Sequence, residues 1–165
     1  MDIELLPSGT SVLVDANIFV DSFGRLSWQC NQLIARIETG DVLGSITTII
    51  ATETLHRRML IEAVDKGLVT SSQVLKKLKM RPEIVQQLSD YITDVQKIFQ
   101  LPVTVIVVTP QDIERSHQLR RQFGLLVNDS INLACAQRVG ITNIVTRDDD
   151  FDHVTGITVW KPTDI

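Results

Sequence analysis

Short apolar runs alternate with longer stretches of helical periodicity along the whole chain. Val12, Leu13 and Val14 run without polar interruption into Asp15, which reads as a strand over residues 11–15. A helix starts near Asn17, and an amphipathic helix spans 27–38 before Gly40 and Asp41 break the pattern. A second strand covers 42–46; Thr47 or Thr48 then N-caps a helix that runs through Glu53 towards Val64 and ends at Lys66 and Gly67. Residues 70–101 keep the helical period in two pieces divided by Pro82, whose fixed φ suits a helix start better than an interior. With the end of the preceding helix these pieces make a helical arm over about 57–101. β-branched residues over 103–108 give a third strand ahead of Thr109 and Pro110, and a helix over 111–123 follows, stopped by Gly124. Asn128 caps a further helix over 129–139, Gly140 ends it, and strands over 143–146 and 157–160 complete the pattern.

Parallel strands need crossover connections, so this alternation predicts an α/β chain: a three-layer α/β/α sandwich with a mostly parallel central sheet and a helical arm. No linker interrupts it, and residues 1–165 read as a single domain. In such a sheet the loops at the carboxyl ends of the strands line the ligand crevice. Asp15 and Asp148 both fall at strand carboxyl ends, so parallel pairing places them on one edge.

Composition narrows the class. Hydrophobic residues at 44% and charged residues at 22% suit a globular domain and argue against extended disorder. No apolar run approaches the ~18 residues of a membrane span, so the expectation is a cytoplasmic protein without membrane contact. Cys30 and Cys135 are isolated from one another and read as buried free thiols. The net charge of −4 argues against a general nucleic-acid binder. Yet Arg57, Arg58, Lys76, Lys77, Lys79 and Arg81 concentrate positive charge in the central stretch, either as a solvated helix face or as a patch that meets a polyanion.

Four carboxylates stand where a carboxylate is awkward without a cation: Asp15, Glu53, Asp129 and Asp148. Each also has a local explanation. Asp15 can cap a helix, Glu53 can pair with Arg57 four residues on, Asp129 can favour a helix dipole, and Asp148, Asp149 and Asp150 can form an acidic turn. Brought together, they make a hard-oxygen site suited to Mg²⁺ or Mn²⁺. His56, His117 and His153 are scattered and offer no zinc spacing. Asn17 and Ser130 are candidates for placing a water or a phosphate. Arg147 is either a phosphate contact or an exposed turn residue.

The pieces that carry these acids resemble the PIN-domain ribonuclease family, whose small members include the toxins of toxin-antitoxin modules. They are Val12, Leu13, Val14, Asp15, Ala16 and Asn17; Glu53 in the helix after the second strand; Asn128, Asp129 and Ser130 opening a helix; and Thr146 through the three aspartates to Phe151. The resemblance implies an acidic metal site at one sheet edge. Asp15, Glu53, Asp129 and Asp148 are its carboxylates, Asp150 an auxiliary acid and Mg²⁺ or Mn²⁺ the cofactor. It implies a metal-dependent endoribonuclease, with RNA as substrate and a cognate antitoxin and a homodimer as candidate assemblies. Arg57, Arg58, Lys76, Lys77 and Lys79 would then touch RNA. The stretch from Arg57 to Leu101 is longer than in the smallest toxins. Alternatives are a catalytically silent module of this kind that binds RNA or protein, and a metal-dependent phosphatase, which would not require the basic arm.

Overall fold

The computed structural model describes residues 1–165. Five parallel strands, β1 (Ser11–Val14), β2 (Leu43–Thr47), β3 (Thr104–Ile106), β4 (Asn143–Val145) and β5 (Thr158–Trp160), form one sheet in the order β3-β2-β1-β4-β5. β1 lies at the centre, which is why Val12, Leu13 and Val14 are all buried: a parallel strand covered on both faces needs an apolar run rather than alternation.

The chain has eight helices: α1 (Ala16–Phe23), α2 (Trp28–Glu38), α3 (Thr48–Asp65), α4 (Val74–Met80), α5 (Pro82–Val85), α6 (Asp90–Gln100), α7 (Pro110–Phe123) and α8 (Val127–Arg138). The chain winds outward from β1 through β2 to β3, then returns to β4 on the other side of β1. Right-handed crossovers therefore put the helices between β1 and β3 on one face, and α7 and α8 on the opposite face. Phe19 and Ile18 of α1 and Leu133 of α8 are fully buried against the sheet. At Gly44 in β2 a Cβ would sit 3.0 Å from Ile37 Cδ1, so the glycine lets α2 lie directly on its strand. Cys30 and Cys135 are buried and free, as expected.

The expected elements are present, with three local departures. The strands are shorter than their apolar runs: β3 keeps three residues of the expected 103–108. The helix expected over 129–139 begins two residues earlier, with Leu126 at a cap position that offers no side-chain oxygen, and Asn128 lies inside the first turn. The arm has three helices rather than two pieces. Pro82 opens α5 as expected, but a second break falls before α6. The buried carboxylate of Glu62 on α3 accepts from the backbone N–H groups of Ser89 and Tyr91, both at 2.9 Å, and so caps α6 from a distant segment. Burial works against ionisation there. The Lys66 ammonium and the Tyr91 and Ser89 donors nevertheless hold the Glu62 carboxyl down at about 2. A small apolar cluster of Ala63, Val69, Leu78, Ile84 and Leu88 packs the arm onto the second half of α3.

Candidate active site

The strand order reverses between β1 and β4, and the crevice outside the carboxyl ends of strands at such a switch point is where α/β sheets hold ligands. Val14 pairs with Val145 in register, and Asp15 N–H donates to Val145 O at 2.9 Å, so Asp15 and Thr146 leave the sheet side by side.

A closed polar network fixes this corner. Asp15 caps α1 by accepting from Ala16 N–H at 2.7 Å on Oδ1, and its Oδ2 accepts from Asn17 Nδ2 at 2.7 Å and from Thr146 Oγ1 at 2.6 Å. Thr146 is fully buried, and its hydroxyl also accepts from Asn17 Nδ2 and from Asp148 N–H, each at 3.0 Å. A threonine has one hydroxyl proton, and here it goes to Asp15, so one group aims Asp15 and anchors the backbone of Asp148. Asn17 Oδ1 accepts from Arg147 N–H at 3.1 Å. The helix-cap explanation of Asp15 is therefore correct but incomplete, since its second oxygen belongs to this network.

Glu53 and Asp129 reach the same place from the two opposite helix layers. Thr47 N-caps α3 by accepting from Ile50 N–H at 3.0 Å, and it donates to Asn132 Oδ1 at 2.6 Å, which ties the start of α3 to the middle of α8. Glu53, Asp129 and Asp148 line a cleft of about 450 Å³ with Arg57, Leu126, Val127 and Asn128. Burial, followed by the charges of Asp15, Asp148, Glu53 and Asp150, pushes the Asp129 carboxyl up to about 6. Burial also raises Asp15, against the Thr146 and Ala16 hydrogen bonds, and Glu53 adds to the rise. Four distant segments thus deliver their acids into one field, with Asp150 contributing to it. Asp148 accepts from Asp150 N–H at 3.0 Å, whereas Asp149 turns away to pair with Lys161 at 2.6 Å.

No three His, Cys, Asp or Glu side chains converge tightly enough to form a closed coordination shell by themselves. Like charges spread apart, and Glu53 turns to Arg57 at 2.6 Å. The donor chemistry nonetheless fits Mg²⁺ or Mn²⁺. Every facing acid is a hard oxygen donor, and Asp129 and Asp15, raised first by burial and then by neighbouring acids, are carboxyls whose charged form a divalent cation would stabilise.

Of the residues expected to touch substrate, Arg57 lines the cleft. Arg147 is half exposed, and its guanidinium is held 3.2 Å from buried Asp21. Asn17 and Ser130 do not face the cleft as free groups. Asn17 is buried and spends its amide on Asp15, Thr146 and Arg147. Ser130 is fully buried, donates to Val127 O and accepts from Arg120. Arg58 is committed to the arm, with Nε and Nη2 at 2.9 and 2.8 Å from Asp94. Lys76 and Lys79 are exposed on α4, Lys77 beside them donates to Thr70, and Arg81 pairs with Glu83. Two residues were not singled out from sequence: Thr146, a hydroxyl at the very end of a buried strand, and Asp21, an acid on the buried side of α1 whose Oδ2 has no hydrogen-bond partner.

VapBC2 from Rickettsia felis, bound to a DNA fragment from its promoter, shares this fold with a TM-score of 0.55 at 16% identity, over 92% of this chain and 98% of that one. VapC20 from Mycobacterium tuberculosis, a toxin that cleaves the sarcin-ricin loop, gives 0.57 at 13% identity over 86% and 92%. A toxin-antitoxin complex from Klebsiella pneumoniae gives 0.51 at 21% identity over 89% and 95%. No curated protein matches the sequence at a significant level. The PIN domain model matches residues 12–157, from the first buried strand to the edge of the last, and takes in all four acids; the chain belongs to the PIN domain family.

Proposed function

We propose that the chain is a Mg²⁺- or Mn²⁺-dependent endoribonuclease that hydrolyses RNA phosphodiesters with water, acting in the cytoplasm as the toxin of a toxin-antitoxin pair. The observation that carries this reading is the acidic cleft at the switch point, where Asp129 is driven to about 6 by burial and by acids from three other segments. Similarity in fold to a sarcin-ricin-cleaving toxin and to toxin-antitoxin complexes supports RNA as substrate and an antitoxin as partner.

Asp15, Glu53, Asp129 and Asp148 would hold the ion, with Asp150 adding charge. When bound, such an ion supplies a more acidic water and a Lewis acid for the phosphodiester. The chain's own residues do the positioning. Thr146 and Asn17 keep Asp15 in one orientation, and Thr146 holds the Asp148 backbone at the same corner. Arg57 places a positive charge at the cleft wall where a phosphate would arrive. Lys76, Lys77 and Lys79 would meet the RNA backbone beyond the cleft, touching phosphates in a way that positions without reading sequence.

The experiment is RNA cleavage by purified protein with added Mn²⁺. Asp15→Asn and Asp129→Asn should each lose most of the activity while remaining folded, and EDTA should do the same to wild type. Wild-type cleavage by both variants would remove the site from consideration.

A further inference from the structure

Arg57 is the only cationic side chain lining the acidic cleft, and its Nη2 stands 2.6 Å from Glu53 Oε1. Its charge also reaches Asp15 and Asp21. The other nearby guanidinium, that of Arg147, is held by Asp21. Asp15 is satisfied by a hydroxyl, an amide and a backbone N–H, and Asp148 by a backbone N–H, so Glu53 is the one cleft acid with a cation of its own. An i,i+4 pair this accessible adds little to helix stability. Its effect falls instead on the field of the cleft.

We propose that Arg57 is a built-in counter-cation of this cleft: its guanidinium neutralises Glu53 until a divalent ion enters, and entry requires Glu53 to exchange the guanidinium for the ion. The proposal rests on reading the four acids as the metal-binding group. Arg57 then weakens metal binding, because the pair must break first and because a positive charge stays near the ion. Release from Glu53 leaves the guanidinium at the cleft wall, free to meet a phosphate oxygen.

The test is the Kd of the full chain for Mn²⁺ by isothermal titration calorimetry, for wild type, Arg57→Gln, Arg57→Lys and Lys76→Gln. Arg57 is nearly half exposed, so neither of its substitutions empties a packed site. Removing a unit charge ~5 Å from a divalent ion, even at a dielectric near that of water, changes affinity on the order of tenfold. Arg57→Gln should therefore bind Mn²⁺ roughly tenfold more tightly, while Arg57→Lys stays within about twofold of wild type. Lys76→Gln makes the same change in net charge on the exposed arm and should leave Kd unchanged. An unaltered or weaker Kd for Arg57→Gln, or equal tightening by Lys76→Gln, overturns the counter-cation role and leaves the metal site standing. Absence of Mn²⁺ binding in every variant overturns the metal site itself, and the exchange with it.

Discussion

Replacing Thr146 by Val keeps the β-branched shape that packs into the core at the end of β4 and deletes one oxygen. That oxygen is completely buried and makes three hydrogen bonds: 2.6 Å to Asp15 Oδ2, 3.0 Å from Asn17 Nδ2 and 3.0 Å from Asp148 N–H. Asn17 Nδ2 keeps its bond to Asp15, but Asp148 N–H loses this acceptor and the Asp15 carboxylate loses a donor. A hydrogen bond to a charged group contributes about 1.5–3 kcal/mol, and the freed N–H of exposed Asp148 can turn to water, so Thr146→Val should destabilise the fold by about 1.5–3 kcal/mol. Thr146→Ser keeps the hydroxyl, loses only a methyl, and should fall within about 1.5 kcal/mol of wild type. Urea unfolding of the three proteins at pH 7, paired with RNA cleavage, checks both links. Stability should drop strongly for Val alone, and cleavage should drop further than stability explains, since Asp15 and Asp148 lose a shared anchor. A Val variant within about 0.5 kcal/mol of wild type would refute the network as the force that positions these acids.

The Asp129 carboxyl at about 6, against an ordinary 3.8, binds more protons folded than unfolded; in EDTA its contribution is full below the unfolded value and lost as pH rises through about 6. Wild type in EDTA should therefore lose stability between pH 4 and pH 7 relative to Asp129→Asn, and parallel profiles from thermal unfolding would reject a carboxyl raised by burial and neighbouring acids. Glu62 has the opposite sign: its carboxyl is held at about 2 against 4.5, so its contribution is present above the unfolded value and lost as pH falls through the folded one. Glu62→Gln should cost about 2–4 kcal/mol at pH 7 and flatten the acid limb between pH 4.5 and 2, read by circular dichroism; an unchanged acid limb would show that the α6 cap is not ionic. Changing Lys76, Lys77 and Lys79 together to Gln should weaken RNA binding across sequences and lower the log-log salt slope by ~0.7 for each phosphate that α4 no longer neutralises. An unchanged slope returns α4 to a solvated face.

The apolar run of β1 made the centre of the sheet legible because Val12, Leu13 and Val14 are buried on both faces with no polar position among them. Asp15 and Asp148 could be placed on one edge from strand ends alone, and Glu53 and Asp129 joined them through family resemblance. Contacts between distant segments were not legible. The second break in the arm depends on Glu62 capping a helix that starts 28 residues later, at Asp90, and no local pattern records that. Asn17 and Ser130 looked like free polar groups beside the acids, but burial commits both to partners that sequence spacing does not reveal. The same blindness hid Thr146 and Asp21. A hydroxyl ending an apolar strand, and an acid on the inner side of an apolar helix, are signals only once the fold shows what they face.

The central claim is that Asp15, Glu53, Asp129 and Asp148 bind one divalent-metal group at the β1–β4 switch point. Crystals of the protein grown with Mn²⁺, with anomalous diffraction recorded above the manganese edge, test it most directly. An anomalous peak is expected inside the cleft, with oxygens of at least three of these four acids at about 2.0–2.3 Å, as hard-oxygen coordination requires, and with Glu53 no longer paired to Arg57. A saturating Mn²⁺ soak that leaves the cleft without a peak, or that places the ion among other residues, would contradict it.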